Sequence, residues 1–141
     1  MHPLYRKADA VARDALDAAM TVLNTIGMGL EESLYSRCLL HELTLRGHQV
    51  EREVPITLRY KGAAFSTVLR ADLLVDRCVV LELKSIEKNI RFEHKMQVLS
   101  YMKMLDCPLG FVINFGPNNK DRIQRVILAG ADEADDQGAQ P

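Results

Sequence analysis

The chain has 141 residues, of which 48% are apolar and 26% charged, and its formal net charge is −1, the make-up of an ordinary globular domain. A single domain of this size buries about 68–70% of its unfolded surface, enough for a core without disulfide or metal staples. The balanced charge argues against a dedicated, tight nucleic-acid binder but leaves open an enzyme with a local basic cleft, and no apolar run nears the roughly 20 residues of a membrane helix. Cys38, Cys78 and Cys107 are odd in number and lack paired metal-ligand spacing, so they read as buried thiols of a reducing cytoplasm rather than as a zinc site. Met1 to Lys7 has no apolar signal core, which also points to a cytoplasmic location.

From Tyr5 to Thr25, apolar residues at Ala8, Val11, Ala12, Ala15, Leu16, Ala19, Met20 and Leu23 recur at helical spacing, and Gly27 and Gly29 end the pattern. A second helix is expected from Leu30 to Leu45, apolar at Leu34, Leu39, Leu40 and Leu43, with Gly47 as its stop. Val50 to Tyr60 then reads as a strand with Pro55 at an edge or irregularity, and Lys61-Gly62 as a turn. Ala64 to Val75 and Cys78 to Lys84 form a hairpin around Asp76-Arg77. The run Val79-Val80-Leu81 suits a strand buried on both faces. Ile90 to Leu105 returns to helical period through Phe92, Met96, Leu99, Met102 and Leu105. Leu109 to Phe115 is an apolar strand closed by a turn at Gly116-Pro117-Asn118-Asn119, and Ile123 to Ala129 is the last strand. Residues 1–130 read as one domain and residues 131–141 as an acidic, disordered tail. The order α-α-β-β-β-α-β-β, with a helix long enough for a parallel crossover, predicts an α/β fold with a mixed central sheet flanked by helices.

The chemistry concentrates at Asp72 and at Glu82-Leu83-Lys84, where the buried run ends. Glu82 and Lys84 share a strand face. If the hairpin pairs them, Asp72 and Glu82 offer two carboxylates to a hard cation such as Mg²⁺ or Mn²⁺, and the Leu83 carbonyl adds an oxygen. Lys84 would stand beside the attacking water. Glu-x-Lys is also a common string at solvated strand ends. On the next helix, Gln97 and Tyr101 are four apart with His94 on the same stripe, which suits either phosphate binding or a half-buried amphipathic helix. Glu32 opens the second helix, where the helix dipole alone favours a carboxylate; it could instead be a third acid facing the pair, with Tyr35 a turn further on. Arg70 could clamp a phosphate or bridge to Asp72 or Glu82, the salt bridge being preferred. Lys61, Lys88, Arg91 and Lys95 read as solvated charge or as a basic rim.

Together these residues resemble the GxxExxY protein family. Gly29-Leu30-Glu31-Glu32-Ser33-Leu34-Tyr35 matches its signature, and Glu42-Leu43, Tyr60-Lys61-Gly62, Arg70-Ala71-Asp72, Glu82-Leu83-Lys84, Gln97 to Tyr101 and Ile113-Asn114-Phe115-Gly116 follow in the same order. The chain departs at Leu23 and Met28, where many relatives carry His and Pro. That family is placed in the PD-(D/E)XK nuclease-like superfamily, and the resemblance implies a restriction-endonuclease-like core that uses Mg²⁺. It implies metal carboxylates at Asp72 and Glu82, a catalytic lysine at Lys84, an acidic residue of the first core helix at Glu32, and a Gln-x-x-x-Tyr helix at Gln97 and Tyr101. The expectation is a Mg²⁺- or Mn²⁺-dependent nuclease acting on nucleic acid, DNA above all, with Tyr101 and Arg70 on the substrate. A homodimer would let two sites address two strands. The alternatives are an inactive module of the same fold that binds nucleic acid or serves as a partner subunit, and a structural or small-ligand protein in which Lys84 pairs directly with Glu82 or Glu32.

Overall fold

The computed structural model describes residues 1–117 and 120–134. Among these residues, three helices and five strands follow in the expected order: α1 (Tyr5–Ile26), α2 (Glu32–Leu45), β1 (Val50–Tyr60), β2 (Ala63–Val75), β3 (Val79–Lys84), α3 (Phe92–Leu105), β4 (Leu109–Asn114) and β5 (Ile123–Ile127). The strands lie side by side in chain order in one sheet. All neighbours are antiparallel except β3 and β4, which are parallel and joined by the α3 crossover. This is the α/β fold expected, a mixed sheet with helices on both faces and the restriction-endonuclease-like element order. Asn118 and Asn119 of the expected turn, and 135–141 of the expected acidic tail, lie outside the described residues.

Two cores sandwich the sheet. Ala8, Ala12, Ala15 and Ala19 of α1 and Leu39 and Leu43 of α2 pack on Leu73, Leu81, Leu83 and Ile113. The alanines let α1 come close to the sheet, and its larger Leu16, Met20 and Leu23 are only partly buried. On the other face, Val98, Tyr101 and Met102 of α3 pack on Leu74, Val80 and Val112. Gly110 makes room for α3, because a Cβ there would meet Met102 Sδ at 2.7 Å and Val98 Cγ1 at 2.8 Å.

Several expectations are corrected. The buried face of α3 is Val98, Tyr101 and Met102, while Phe92 is 69% and Met96 37% exposed. The reason lies beneath the helix: its first half covers the polar end of β3, so the side chains turned inward there are polar. Leu34 is exposed on α2, and Tyr35 takes the core position instead. The Tyr35 ring stacks on Phe115 at 4.3 Å. Its hydroxyl donates to the Gly27 carbonyl at 2.6 Å and accepts from the Leu30 N–H, pinning the α1–α2 loop rather than facing the carboxylates. Cys78 and Cys107 are buried thiols, whereas Cys38 is only partly buried. The Asp76-Arg77 turn is as expected, with both residues at positive φ (50 and 57) and the Cys78 N–H donating to the Val75 carbonyl to close it.

Candidate functional site

The β2–β3 hairpin is paired over a short stretch only, from Val75↔Val79 to Leu73↔Leu81. Beyond it the strands part, and the two carboxylates fill the fork. Glu82 Oε1 accepts the Asp72 backbone N–H at 2.8 Å, and Asp72 Oδ2 accepts the Leu83 backbone N–H at 2.8 Å. Each acid thus replaces a lost ladder bond of the opposite strand, so both side chains are held from two ends. Asp72 Oδ1 and Glu82 Oε2 accept no hydrogen bond from the described residues and are not sealed from solvent. Each carboxylate therefore has one anchored oxygen and one open one.

The face pattern also changes here. Leu73 and Val75 pack with α1 and α2, but Ala71, of the same parity, packs with α3. In β1, Val50 packs on the α1–α2 side and Val54 and Ile56 on the α3 side. Between them lies Glu53, which has φ 53 and, like Asp72, falls between the Arg52↔Leu73 and Val54↔Ala71 pairs of the register. A one-residue reversal of alternation in both strands re-aims side chains at the point where the fork opens.

Electrostatics mark the fork as a place that favours positive charge. Burial first, and then the neighbouring Asp72 charge, push Glu82 well above the ordinary carboxylate range. Burial likewise raises Asp72, against the Leu83 N–H and the Lys84 charge, which lower it. Two desolvated acids side by side disfavour double ionisation, and a cation between them offsets that cost. Lys84 is close enough to favour both charges, yet it forms no ion pair with Asp72, Glu82 or Glu32 among the described residues. The direct pairing expected of a merely structural motif is therefore not present.

The Leu83 carbonyl faces the same way. Backbone polar groups alternate sides along a strand. The Lys84 carbonyl accepts from Phe115 N–H on the β4 side, and the Leu83 N–H points to Asp72, so the Leu83 carbonyl is directed toward β2. The donor set of two carboxylates and a main-chain oxygen fits a hard divalent cation. Among the described residues no three His, Cys, Asp or Glu side chains converge tightly enough to enclose one by themselves, so water or phosphate oxygen would have to complete the shell.

Around the fork, Glu32, Ser33 and Ser36 of α2, Arg52 and Glu53 of β1, and Asp72 line one cavity of about 210 Å³. Glu32 thus shares a cavity with Asp72, and its charge contributes to raising both Asp72 and Glu82. On the α3 side, burial first and then the Glu82 and Asp72 charges push the Tyr101 hydroxyl up to about 12. Gln97, one turn earlier, is half-buried. His94 is held low by burial, then by the Lys84 and Arg91 charges, which places it beside the same end of β3. Arg70 is exposed and pairs with neither Asp72 nor Glu82, so the preferred salt-bridge reading is corrected: β2 carries it past the fork into the outer part of the hairpin.

Arg52, Glu53 and Ser36 are cavity residues that the spacing did not reveal. The Arg52 guanidinium donates to Ser36 Oγ at 2.8 Å and pairs with Glu53 at 3.6 Å. Alternating strand periodicity could not find Arg52 and Glu53, because it assumes no reversal at Glu53. Asn114 is another. Fully buried, its Oδ1 accepts from Ile86 N–H and Gly116 N–H, and its Nδ2 donates to the Ile86 and Lys88 carbonyls. This fixes the loop that leaves Lys84. Gly116 permits the approach, since a Cβ there would lie 1.9 Å from the Ile86 carbonyl oxygen.

A family model described as the PD-(D/E)XK nuclease superfamily matches residues 9–126. A solved structure titled "Crystal structure of SSO0001" is similar at 20% identity and a TM-score of 0.38. The match covers 84% of this chain and 59% of that one. No curated protein matches the chain.

Proposed function

Because the chain belongs to the PD-(D/E)XK nuclease superfamily, we propose that it is a nuclease that hydrolyses phosphodiester bonds of nucleic acid, DNA in particular, with Mg²⁺ or Mn²⁺. The observation that supports this most is the fork: the buried Glu82 and the half-buried Asp72, each anchored by the opposite strand's N–H and each with one open oxygen. Asp72, Glu82 and the Leu83 carbonyl would hold the cation. When bound, it supplies Lewis acidity at a phosphoryl oxygen and lowers the pKa of the attacking water. The remaining work falls to the chain's own groups. Lys84 orients the water and offsets charge building on the attacked phosphate. Glu32, across the cavity from Asp72, accepts a hydrogen bond from that water and extends the acidic cluster. The Gln97 amide and the Tyr101 hydroxyl, which stays protonated at neutral pH, hold phosphate oxygens from the α3 side. Arg70 binds phosphate further along the strand. No helix of the described residues is long and apolar enough to cross a membrane, and the free cysteines accord with a reducing cytoplasm.

End-labelled DNA and RNA incubated with Mg²⁺ or Mn²⁺ test the proposal. The wild type cuts, and Lys84→Ala and Asp72→Ala each lower the rate by at least about 10²-fold. Activity that survives both substitutions overturns it. One observation favours a second reading, a non-catalytic module of the same fold: no closed set of three ligating side chains forms among the described residues. Nucleic-acid binding without cleavage in either metal would select it.

A further inference from the structure

The outer half of the β1–β2 hairpin has no place in the core. Thr57 to Arg70 is exposed throughout, except for the half-buried Thr67. A bulge separates it from the body: β1 advances from Pro55 to Thr57 while β2 retreats from Arg70 to Ser66, leaving Val68 95% exposed. Past the bulge the ladder is regular to the Tyr60↔Ala63 pair, closed by Lys61 and Gly62 at positive φ (46 and 82). Residues directly opposite in an antiparallel pair share a face. One face of this arm is therefore Leu58 and Tyr60 with Phe65 and Ala63, and the other is Thr57 and Arg59 with Ser66 and Ala64. On the first, Tyr60 is 60% and Phe65 51% exposed.

Its charge is one-sided. From Val54 to Ala71 there is no Asp or Glu, but there are Arg59, Lys61 and Arg70, in a chain whose formal net charge is −1. Lys61 Nζ lies over the Tyr60 ring, 5.4 Å from its centroid. The arm also points the right way. β1 and β3 are each antiparallel to β2 and so run parallel, and the arm extends the same end of the sheet at which β3 delivers Glu82 and Lys84. It reaches roughly 25 Å past the level of Asp72 at about 3.3 Å per residue.

We propose that this arm is a nucleic-acid-binding ribbon that receives a single strand next to the carboxylate fork, Tyr60 and Phe65 stacking on bases while Arg59, Lys61 and Arg70 meet phosphates. The inference rests on the nuclease reading and adds its substrate class, a polynucleotide with accessible base faces. Exposed aromatics interleaved with cations are the pattern by which single strands are held without sequence preference. Charge decides between this occupant and a second copy of the chain. Two such arms brought together about a two-fold axis would oppose cations to cations with no acid to offset them, whereas a polyanion complements them.

The test is fluorescence anisotropy of labelled oligonucleotides in EDTA, so that cleavage does not enter, with single-stranded DNA, single-stranded RNA and duplex DNA as separate arms. The wild type binds a single strand more tightly than the duplex. Tyr60→Ala with Phe65→Ala weakens single-strand binding by about tenfold to a hundredfold. Arg59→Gln with Lys61→Gln flattens its salt dependence. Tyr60→Trp, which gives the chain its sole tryptophan, reports contact directly by quenching when a single strand is added. Unchanged affinity in both double variants with no quenching overturns the arm, as does tighter binding of duplex. So does light scattering in which the aromatic pair turns a dimer into a monomer, which would make the arm a self-association surface. In any of these cases, Lys84-dependent cleavage with Mg²⁺ would leave the nuclease reading standing. Loss of cleavage together with loss of all binding would remove both.

Discussion

Asn114 shows how a residue far from any chemistry sets a site. It is fully buried, and its four hydrogen bonds hold the chain between Lys84 and α3 against the end of β4. Removing its amide leaves the buried Gly116 N–H and the half-buried backbone groups of Ile86 without these bonds. Asn114→Ala is therefore expected to lower stability by about 1–3 kcal/mol, read from the urea midpoint at unchanged m-value. The proposed nuclease activity should fall further than the folded fraction does, because Lys84 leads directly into the loop that is released. At this scale the sequence was partly legible. Asp72, Glu82 and Lys84 stood out because an apolar run ends in charges, a local signal. Arg52 and Glu53 did not, because their side of the strand depends on the reversal at Glu53, with φ 53, and nothing in the alternation of Val50 to Tyr60 announces that residue as left-handed. Tyr35 was misplaced for a related reason. Helical spacing put it on the Glu32 face, but its ring is taken by Phe115, from a distant part of the chain.

Among the elements, the β2–β3 hairpin carries the account. Continuous pairing would have satisfied the backbone of Asp72 and Leu83 and left both carboxylates as ordinary strand-end charges. The pairing ends at Leu73↔Leu81, and the carboxylates supply the missing acceptors themselves. The hairpin and its turn were legible from Asp76-Arg77 and the flanking apolar runs, but the fork was not, since loss of pairing follows from side chains competing for backbone N–H groups in three dimensions. Helix α3 makes the complementary point. Its existence followed from its period, but its phase did not: Phe92 and Met96 are turned outward because the helix lies across the polar end of β3. The outer hairpin also belongs to this scale, since an element with no core contact has its sequence free for a partner.

Across the whole molecule, one charge cluster ties the first helix to the far end of the sheet and makes stability depend on pH. The His48 ring bridges Asp14 of α1 and Asp76 of the β2–β3 turn, and Arg46 pairs with Asp14, Asp17 and Glu42. Burial alone would lower His48, but the hydrogen bonds to Asp76 and Asp14 raise it above 6.5. The bonds from His48 and Arg46 lower Asp14; burial would raise Asp76, and the His48 bond overcomes it. A group raised by folding contributes fully below its unfolded value and loses that contribution as pH rises through its folded value. The aspartates act oppositely, contributing above 3.8 and losing it as pH falls through their lowered values. The urea midpoint of the wild type should therefore drop as pH rises above 6.5, and His48→Gln should flatten that slope. Parallel profiles for the two chains would show that the bridge adds nothing.

The overall architecture was the most legible level, because element order and a helix between two apolar strands leave few topologies for a mixed sheet. The fork is what gives that architecture a candidate chemistry, the sharing of one divalent cation by Asp72 and Glu82. Titration of Mn²⁺ followed by the electron paramagnetic resonance of the free ion tests it most directly. The wild type should take up Mn²⁺ at a site that Asp72→Asn and Glu82→Gln each abolish and that Lys84→Ala retains. No uptake, or uptake unchanged by both acid substitutions, would contradict it.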